Sequence, residues 1–381
     1  MSTTSTKPRF AKGVSQPQNG LDLKEVLSAE VFRRMISLER KRSERTQRPF
    51  VLLLMDTGRT QPTEKNGRIL LDVLCVLESA TRETDAMGWY EMNSAVGVIF
   101  TEITLENKLI LSTILARISE VLRDRLTSEQ LGQIKFSFHL FPEEWDPNNP
   151  DRQINPTLYP DLHERKRANQ LGRAMKRVMD IIGSLVLLAV LSPVFFVIAA
   201  AIKLTSRGPV LFRQQRIGEH GTAFTFLKFR SMYVNNDASQ HKDYVRKLIA
   251  GQADKQTNGK GEGIFKLTND PRITPVGNFL RRTSLDELPQ FLNVLRGDMS
   301  LVGPRPPVPY EVEAYATWHR RRVLEAKPGI TGLWQVQGRS RVGFDEMVRL
   351  DLRYARNCSP WLDLKILVQT PKAVIAGNGA C

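Results

Sequence analysis

The segment Ile181–Leu204, IIGSLVLLAVLSPVFFVIAAAIKL, constrains this chain more than any other, because its only charge is Lys203 at one edge. At a rise of about 1.5 Å per residue, roughly 20 apolar residues cross a bilayer core, so length alone predicts a spanning helix. Two features argue for another arrangement. Ser192–Pro193 lies near the midpoint. Proline removes a backbone donor and crowds the preceding turn, which kinks a helix. Serine can satisfy a freed carbonyl in lipid. The second feature is charge. Arg165, Lys166, Arg167, Arg173, Lys176 and Arg177 precede the segment, and Lys203, Arg207, Arg213 and Arg216 follow it. Positive charge favours the cytoplasmic side, so two basic flanks predict that both ends stay there. The expectation is a re-entrant helix hairpin that enters one leaflet and returns, with Ser192 and Pro193 as the membrane break. A plain spanning helix and a buried soluble helix are the alternatives.

The rest of the chain is long enough for two domains, at 381 residues. Its formal charge of +15 calls for an anionic partner: nucleic acid, lipid headgroups or phosphorylated substrates. Nucleic-acid binding predicts no apolar segment of this length, so no nucleic acid is expected. Cys75, Cys358 and Cys381 are odd in number and lack metal-ligand spacing, which reads as reduced thiols in a cytoplasmic compartment. The Ser/Thr/Lys-rich N-terminus has no apolar h-region, so no signal peptide is expected.

The first half reads in a clear order. Residues 1–20 are polar and predict a disordered tail. Leu21 to about Arg45 is helical in pattern, and FVLLLMD (Phe50–Asp56) is a buried strand. Ile69–Leu77 is helical, Asp85–Glu91 and Ala95–Thr101 form two strands around Met92–Ser94, Lys108–Leu126 is an amphipathic helix, and Gln133–Leu140 is a last strand. The order β-α-β-β-α-β predicts a ferredoxin-like sandwich over 21–142. Residues 143–172 are rich in Pro, Asn and Asp and read as a linker. The strings ERKRSER, LLLMD, TRETDAMGW and VGVIF resemble diguanylate-cyclase-like (GGDEF) domains over roughly 30–142. The signature turn is replaced by YEMNS (Tyr90–Ser94), without the glycines that let a nucleotide approach, and the acidic pair is reduced to Glu91. Asp56 at the end of the first strand reads as a strand-end cap. The resemblance therefore implies a degenerate domain with a regulatory or dimerising role. Whether it binds a cyclic dinucleotide or forms a homodimer stays open.

The second half, 173–381, carries the chemistry and is expected to be a mixed α/β membrane domain. Val210–Arg213 and Ala223–Phe229 read as strands around the turn Gly218–Gly221, the second delivering Lys228 and Arg230. Asp270–Pro306 holds Arg272, Arg281, Arg282, Arg305 and the acidic pair Asp286–Glu287. Ser284 with Glu287 three residues on matches a capping box, so one reading gives Glu287 to a helix start. Asp286 then falls in a first helical turn, where an anion is favoured. The cations around the pair suit a diphosphate, since arginine's planar fork matches phosphate oxygens.

Here the chain resembles the bacterial sugar transferases, the monotopic phosphoglycosyl transferases. The residues that carry the resemblance are KRVMD (Lys176–Asp180), Ser192–Pro193, LKFRSM (Leu227–Met232), LRRTSLDELPQ (Leu280–Gln290), SLVGPRP (Ser300–Pro306) and KPGITGLWQVQGR (Lys327–Arg339). The resemblance implies that Asp286 attacks the β-phosphate of a UDP-sugar, releasing UMP, and that polyprenyl phosphate then takes the phosphosugar. Glu287 would help hold Mg2+ with Asp286, or handle the acceptor's proton. It also implies the bacterial inner membrane, cytoplasmic face. Lys228, Arg230, Arg281, Arg282 and Arg305 become candidate substrate ligands. Pro328, Gly329 and Gln335 belong to a tight loop that reads equally as nucleotide-facing or as a structural turn around Trp334. The segment from Asp351 through Trp361–Leu367 is amphipathic and suited to a membrane surface. Cys358 stands where the family usually has Trp, which weakens one interfacial anchor. A catalytically idle membrane scaffold is the rival reading, and the intact SLDELPQ and arginine set argue against it.

Overall fold

The computed structural model describes residues 26–57, 64–78, 81–101, 103, 116, 118, 120–121, 123, 127, 132–143, 156–162, 170–234, 239–253, 256–257, 263–264, 272–338 and 341–375. The expected tail, most of the helix Lys108–Leu126 and most of the linker lie outside these residues. The fold is mixed α/β, and its contacts divide the chain into two compact units: Met1–Phe32, Leu53–Phe100 and Leu105–Ser137 in one, and Arg33–Leu52, Thr101–Thr104 and Phe138–Cys381 in the other.

Helix α1 (Ala29–Thr46) precedes strand β1 (Phe50–Asp56), helix α2 (Glu64–Glu78), strands β2 (Ala86–Glu91) and β3 (Ala95–Phe100), and strand β4 (Lys135–Phe141). The sheet order is β2-β3-β1-β4. Phe50 to Met55 are all buried, as an unbroken apolar run requires of a central strand. Strands β2 and β3 form an antiparallel hairpin with Glu91 opposite Ala95, turning through Asn93 at a φ of 57°.

The apolar segment lies inside α3 (Gln170–Thr205), the one helix among the described residues long and apolar enough to cross a membrane. The helix runs through Pro193 as a single element, where the sequence predicts two arms around a break. Proline at 193 deprives the Ala189 carbonyl of its usual i+4 donor. The Ser192 hydroxyl donates to that carbonyl at 2.8 Å, replacing the missing N–H. One stripe of α3, with Asp180, Ser184, Ile198 and Ile202, is buried against the body. The outward stripe is Ile182, Leu185, Val186, Val190, Phe196 and Val197. A water-facing helix surface is polar, so this apolar stripe marks association with a membrane.

Beyond α3 come the hairpin β5 (Leu211–Ile217) and β6 (Ala223–Phe229), helix α4 (Ser239–Ile249), the short pair β7 (Gln256–Thr257) and β8 (Gly263–Ile264), and helices α5 (Pro275–Thr283) and α6 (Gln290–Arg296). Strand β9 (Ser300–Val302), helices α7 (Pro309–Glu313) and α8 (Thr317–Glu325), strand β10 (Gly329–Thr331), and helices α9 (Leu333–Gln337), α10 (Phe344–Asn357) and α11 (Pro360–Ile375) complete the chain. Leu188 and Leu191 of α3 pack on a core built from Phe226, Phe291, Leu301 and Tyr354, while Val194 and Phe195 pack on Phe229 and Leu280. Both sides of the proline thus dock on the body that carries the acidic pair. Deeper polar contacts fix the helix start. Asp180 accepts from the Ser300 hydroxyl and the Leu301 N–H at 2.9 Å each. Lys176 donates to Asp363 at 2.6 Å and to the Val302 carbonyl at 2.9 Å. On α11, Trp361, Leu364 and Val368 are exposed at helical spacing.

Candidate active site

Helix α5 begins and ends sharply for reasons visible in its sequence. Thr274 accepts the Gly277 N–H at 2.9 Å as N-cap, and Pro275 occupies the first helical position. Gly277 is required by close packing, since a Cβ there would sit 2.0 Å from the Ser231 carbonyl oxygen. Ser284 ends the helix in the left-handed conformation, φ 58°, with its N–H bonded to Arg281. A single 3-10 turn, Leu285–Glu287, follows before α6. The capping box therefore does not form. Ser284 closes the preceding helix, and its side chain makes no cap bond. The left-handed serine turns the chain away from the geometry that reciprocal capping needs, so the Glu287 carboxylate is not used up by the helix start. Asp286 likewise sits in one 3-10 turn and not in the first turn of a long helix.

Asp286 is 7% exposed. Burial, then the charge of Glu287, raises its pKa to about 6, against the opposing pull of Lys228 and Arg281. Lys228 comes from β6, with its ammonium 5.3 Å from the centre of the Phe212 ring. Burial lowers Lys228 to about 8, and Asp286 partly restores it. Arg281 and Arg305 both act electrostatically on Lys228. The structure thus brings Asp286, Glu287, Lys228, Arg281 and Arg305 into one electrostatic neighbourhood.

The other candidates have their own partners. Arg282 is exposed on α5, one position round the helix from the half-buried Arg281. Arg230, just past the end of β6, donates to the Ser206 carbonyl at 2.8 Å and its hydroxyl at 2.7 Å, securing the end of α3. Pro328 lines the same cavity as Arg305 and Arg322, and its backbone and that of Gly329 are tied to the neighbouring strand and loop. Ser300 donates to the Pro328 carbonyl, and Gly329 donates to the Pro304 carbonyl, each at 2.8 Å. Strands β9 and β10 run parallel with Gly329 opposite Ser300, so close that a Cβ on Gly329 would lie 2.0 Å from the Gly303 nitrogen. Gln335 donates to the Ile330 carbonyl at 3.3 Å, and Trp334 packs on the core. This loop braces the strand end from which Gly303–Pro307 carries Arg305.

Two residues escaped the sequence reading. Arg216 on β5, read there only as a basic flank, is buried, donates to the Pro306 carbonyl at 2.6 Å and lies 4.6 Å over the Phe226 ring. Burial and then Arg305 hold it near 10, while Glu287 acts in the opposite sense. Strand pairing with β6 was the available signal, since Arg216 and Lys228 lie on adjacent strands. Asn293 is fully buried, accepts from the Leu227 N–H at 3.1 Å and donates to the Thr225 carbonyl at 2.7 Å. It locks α6 to β6, the strand that carries Lys228.

Among the described residues no group of three or more His, Cys, Asp or Glu gathers as a metal cage. Two adjacent carboxylates, Asp286 and Glu287, are the oxygen donors at the site. That set fits Mg2+, which is usually held by one or two carboxylates plus substrate phosphates and water.

The family model described as bacterial sugar transferase matches residues 171–377, and the chain belongs to that family. A segment of 206 residues is 46% identical to "Galactosyl transferase CpsE" of Streptococcus agalactiae serotype III, covering 54% of this chain and 43% of that protein. Identity is 44% over 213 residues to "Undecaprenyl-phosphate galactose phosphotransferase" of Salmonella typhimurium, 56% of this chain and 43% of the relative. It is 43% over 208 residues to "UDP-glucose:undecaprenyl-phosphate glucose-1-phosphate transferase" of Escherichia coli, 52% of this chain and 40% of the relative. The match thus spans less than half the length of these curated relatives. Among solved structures, a DGC protein from Thermotoga maritima aligns with 32% of this chain and 86% of its own, at 18% identity and a TM-score of 0.25.

Proposed function

We propose that this chain transfers a sugar 1-phosphate from a UDP-sugar to a polyprenyl phosphate, starting the assembly of an exopolysaccharide or related glycan. The observation that carries the reading is the buried Asp286 beside Glu287, faced by Lys228 and Arg281, in a chain of the sugar transferase family. The names of the relatives supply the substrate class: UDP-glucose, galactose and undecaprenyl phosphate.

An Asp286 carboxylate oxygen attacks the β-phosphorus of the UDP-sugar. The bond from that phosphorus to the oxygen bridging it to the α-phosphate breaks, and UMP leaves with the bonding electrons. A phosphosugar ester of Asp286 remains. An oxygen of polyprenyl phosphate then attacks the same phosphorus, the bond to Asp286 breaks, and the carboxylate is regenerated. A carboxylate nucleophile splits one hard displacement into two easier ones. Lys228, Arg281 and Arg305 hold phosphate oxygens and offset charge as it spreads in the transition state. Mg2+ held by Asp286 and Glu287 supplies further charge neutralisation when bound.

The lipid acceptor keeps its tail in the bilayer and its phosphate at the interface. The outward apolar stripe of α3 supports a helix set in the membrane, and its two basic flanks support a dip into one leaflet with both ends on the cytoplasmic face of the inner membrane. The order β2-β3-β1-β4 supports a ferredoxin-like, degenerate cyclase-like domain ahead of the transferase.

The test is UMP release by the full chain in detergent with UDP-glucose or UDP-galactose, undecaprenyl phosphate and Mg2+. Release is expected, falling by at least about 10^3-fold in Asp286→Asn. No UMP, or undiminished release by Asp286→Asn, sinks the proposal. Tags at both chain ends should be inaccessible from outside intact cells, and an accessible N-terminal tag overturns the re-entrant topology.

A further inference from the structure

Helix α1 lies outside residues 171–377 that match the family, yet from Arg33 onward it falls in the same compact unit as the transferase body. Its second half buries charge: Glu39, Arg40 and Glu44 are all under a tenth exposed. Buried charges need partners, and Arg40 and Glu44 each have an oppositely charged one. Arg40 donates to both carboxylate oxygens of Asp161 at 3.0 Å, to the Leu158 carbonyl at 3.2 Å, and stacks 4.4 Å from the Tyr159 ring. Glu44 meets Arg321 of α8 at 3.5 Å and Arg40 at 3.7 Å. Arg321 is bonded as well to Glu325, one turn on, its Nε donating at 2.8 Å. Next to it, Arg320 donates to the Glu143 carbonyl at 3.0 Å.

Helix α8 therefore has two working faces. Arg321 points to α1. Arg322, about 100° round the helix, pairs with Asp351 at 2.7 Å, donates to Tyr315 at 3.1 Å, and donates to the Arg305 carbonyl at 3.2 Å. The end of α8 leads within a few residues into Pro328–Gly329, whose backbone grips Ser300 and Pro304. The loop that carries Arg305 is thus attached to α8 at two points, and α8 is attached to α1 through the buried ion pair of Arg321 with Glu44.

We propose that Glu44 is a positioning residue of the transferase site: by anchoring α8 through Arg321, it lets Arg322 hold the loop that presents Arg305 to the sugar nucleotide. The proposal rests on the transferase reading above. It makes the part of α1 from Arg33 onward a working part of the enzyme.

The experiment uses the full chain in lipid nanodiscs with UDP-glucose or UDP-galactose, undecaprenyl phosphate and Mg2+, reading KM for the sugar nucleotide and kcat from UMP release. Glu44→Gln should raise KM at least threefold with kcat within twofold, while Arg45→Gln, an exposed change on the same helix, leaves both unaltered. In an Arg305→Ala background, Glu44→Gln should add no further rise, because its route to substrate is already cut. Arg321→Lys, which keeps charge but loses the two-armed geometry, is read in the same cycle and guards against a folding effect in one variant. An unchanged KM in both variants, or an equal added rise in the Arg305→Ala background, overturns the inference alone. No UMP from the unaltered chain overturns the transferase reading and the inference with it.

Discussion

Asp286 and Asp351 are both buried carboxylates with pKa values raised to about 6, and their surroundings differ in kind. Asp351 is 1% exposed and closed by a direct ion pair with Arg322 at 2.7 Å. Asp286 stands on one 3-10 turn beside Glu287, with Lys228 and Arg281 acting on it through space. In both the first cause of the shift is burial. A raised pKa therefore does not by itself mark a nucleophile. What separates the two is the partner: Asp351 is held by a direct ion pair, while Asp286 has Lys228 and Arg281 acting on it without one among the described residues.

The largest effect should separate them in activity. Asp286→Asn loses UMP release while the protein stays folded. Asp351→Asn, by contrast, strips a buried guanidinium of its ion-pair partner and should cost about 3–5 kcal/mol of stability, with UMP release per folded molecule within tenfold of the unaltered chain. Melting curves alongside UMP assays check both, and a folded, inactive Asp351→Asn erases the distinction. The second effect is in stability. The folded pKa of Asp286 lies above its unfolded value, so protonation favours the fold. Its contribution is present below about pH 4 and lost as pH rises through about 6. A rise from 3.8 to about 6 corresponds to about 3 kcal/mol at most. Asp286→Asn should then melt higher than the unaltered chain above pH 7, with the gap closing toward pH 4. Equal melting at both ends removes the burial argument. The smallest effect is in the pH profile. UMP release should fall as pH drops through about 6, where Asp286 takes a proton, and again as pH rises through about 8, where Lys228 loses one. Lys228→Met should abolish the alkaline limb and move the acid limb upward. An unmoved profile separates Lys228 from the site.

Much of this was legible in one dimension because it depends on local pattern. The run Phe50–Asp56 reads as a buried strand, and the structure starts and ends β1 there. LRRTSLDELPQ and LKFRSM, far apart in sequence, carried the acidic pair and its lysine by resemblance. The capping-box reading of Glu287 was wrong in the structure because spacing says nothing of φ, and Ser284 is left-handed. Arg230 looked equivalent to Lys228 by charge. The strand ends between them, and Arg230 turns to Ser206.

The acidic pair, the apolar segment and its proline, and the element types belong to the sequence by itself, since each rests on residues within a few turns of one another. Only the tertiary structure decided which cations meet Asp286, why Arg216 and Asn293 matter, and that Glu44 reaches Arg321 across 277 positions of chain. The reason is physical. Periodicity and turn chemistry act over one or two turns, whereas a buried charge is settled by whichever partner the fold brings within a few ångströms, and sequence separation carries no information about that distance.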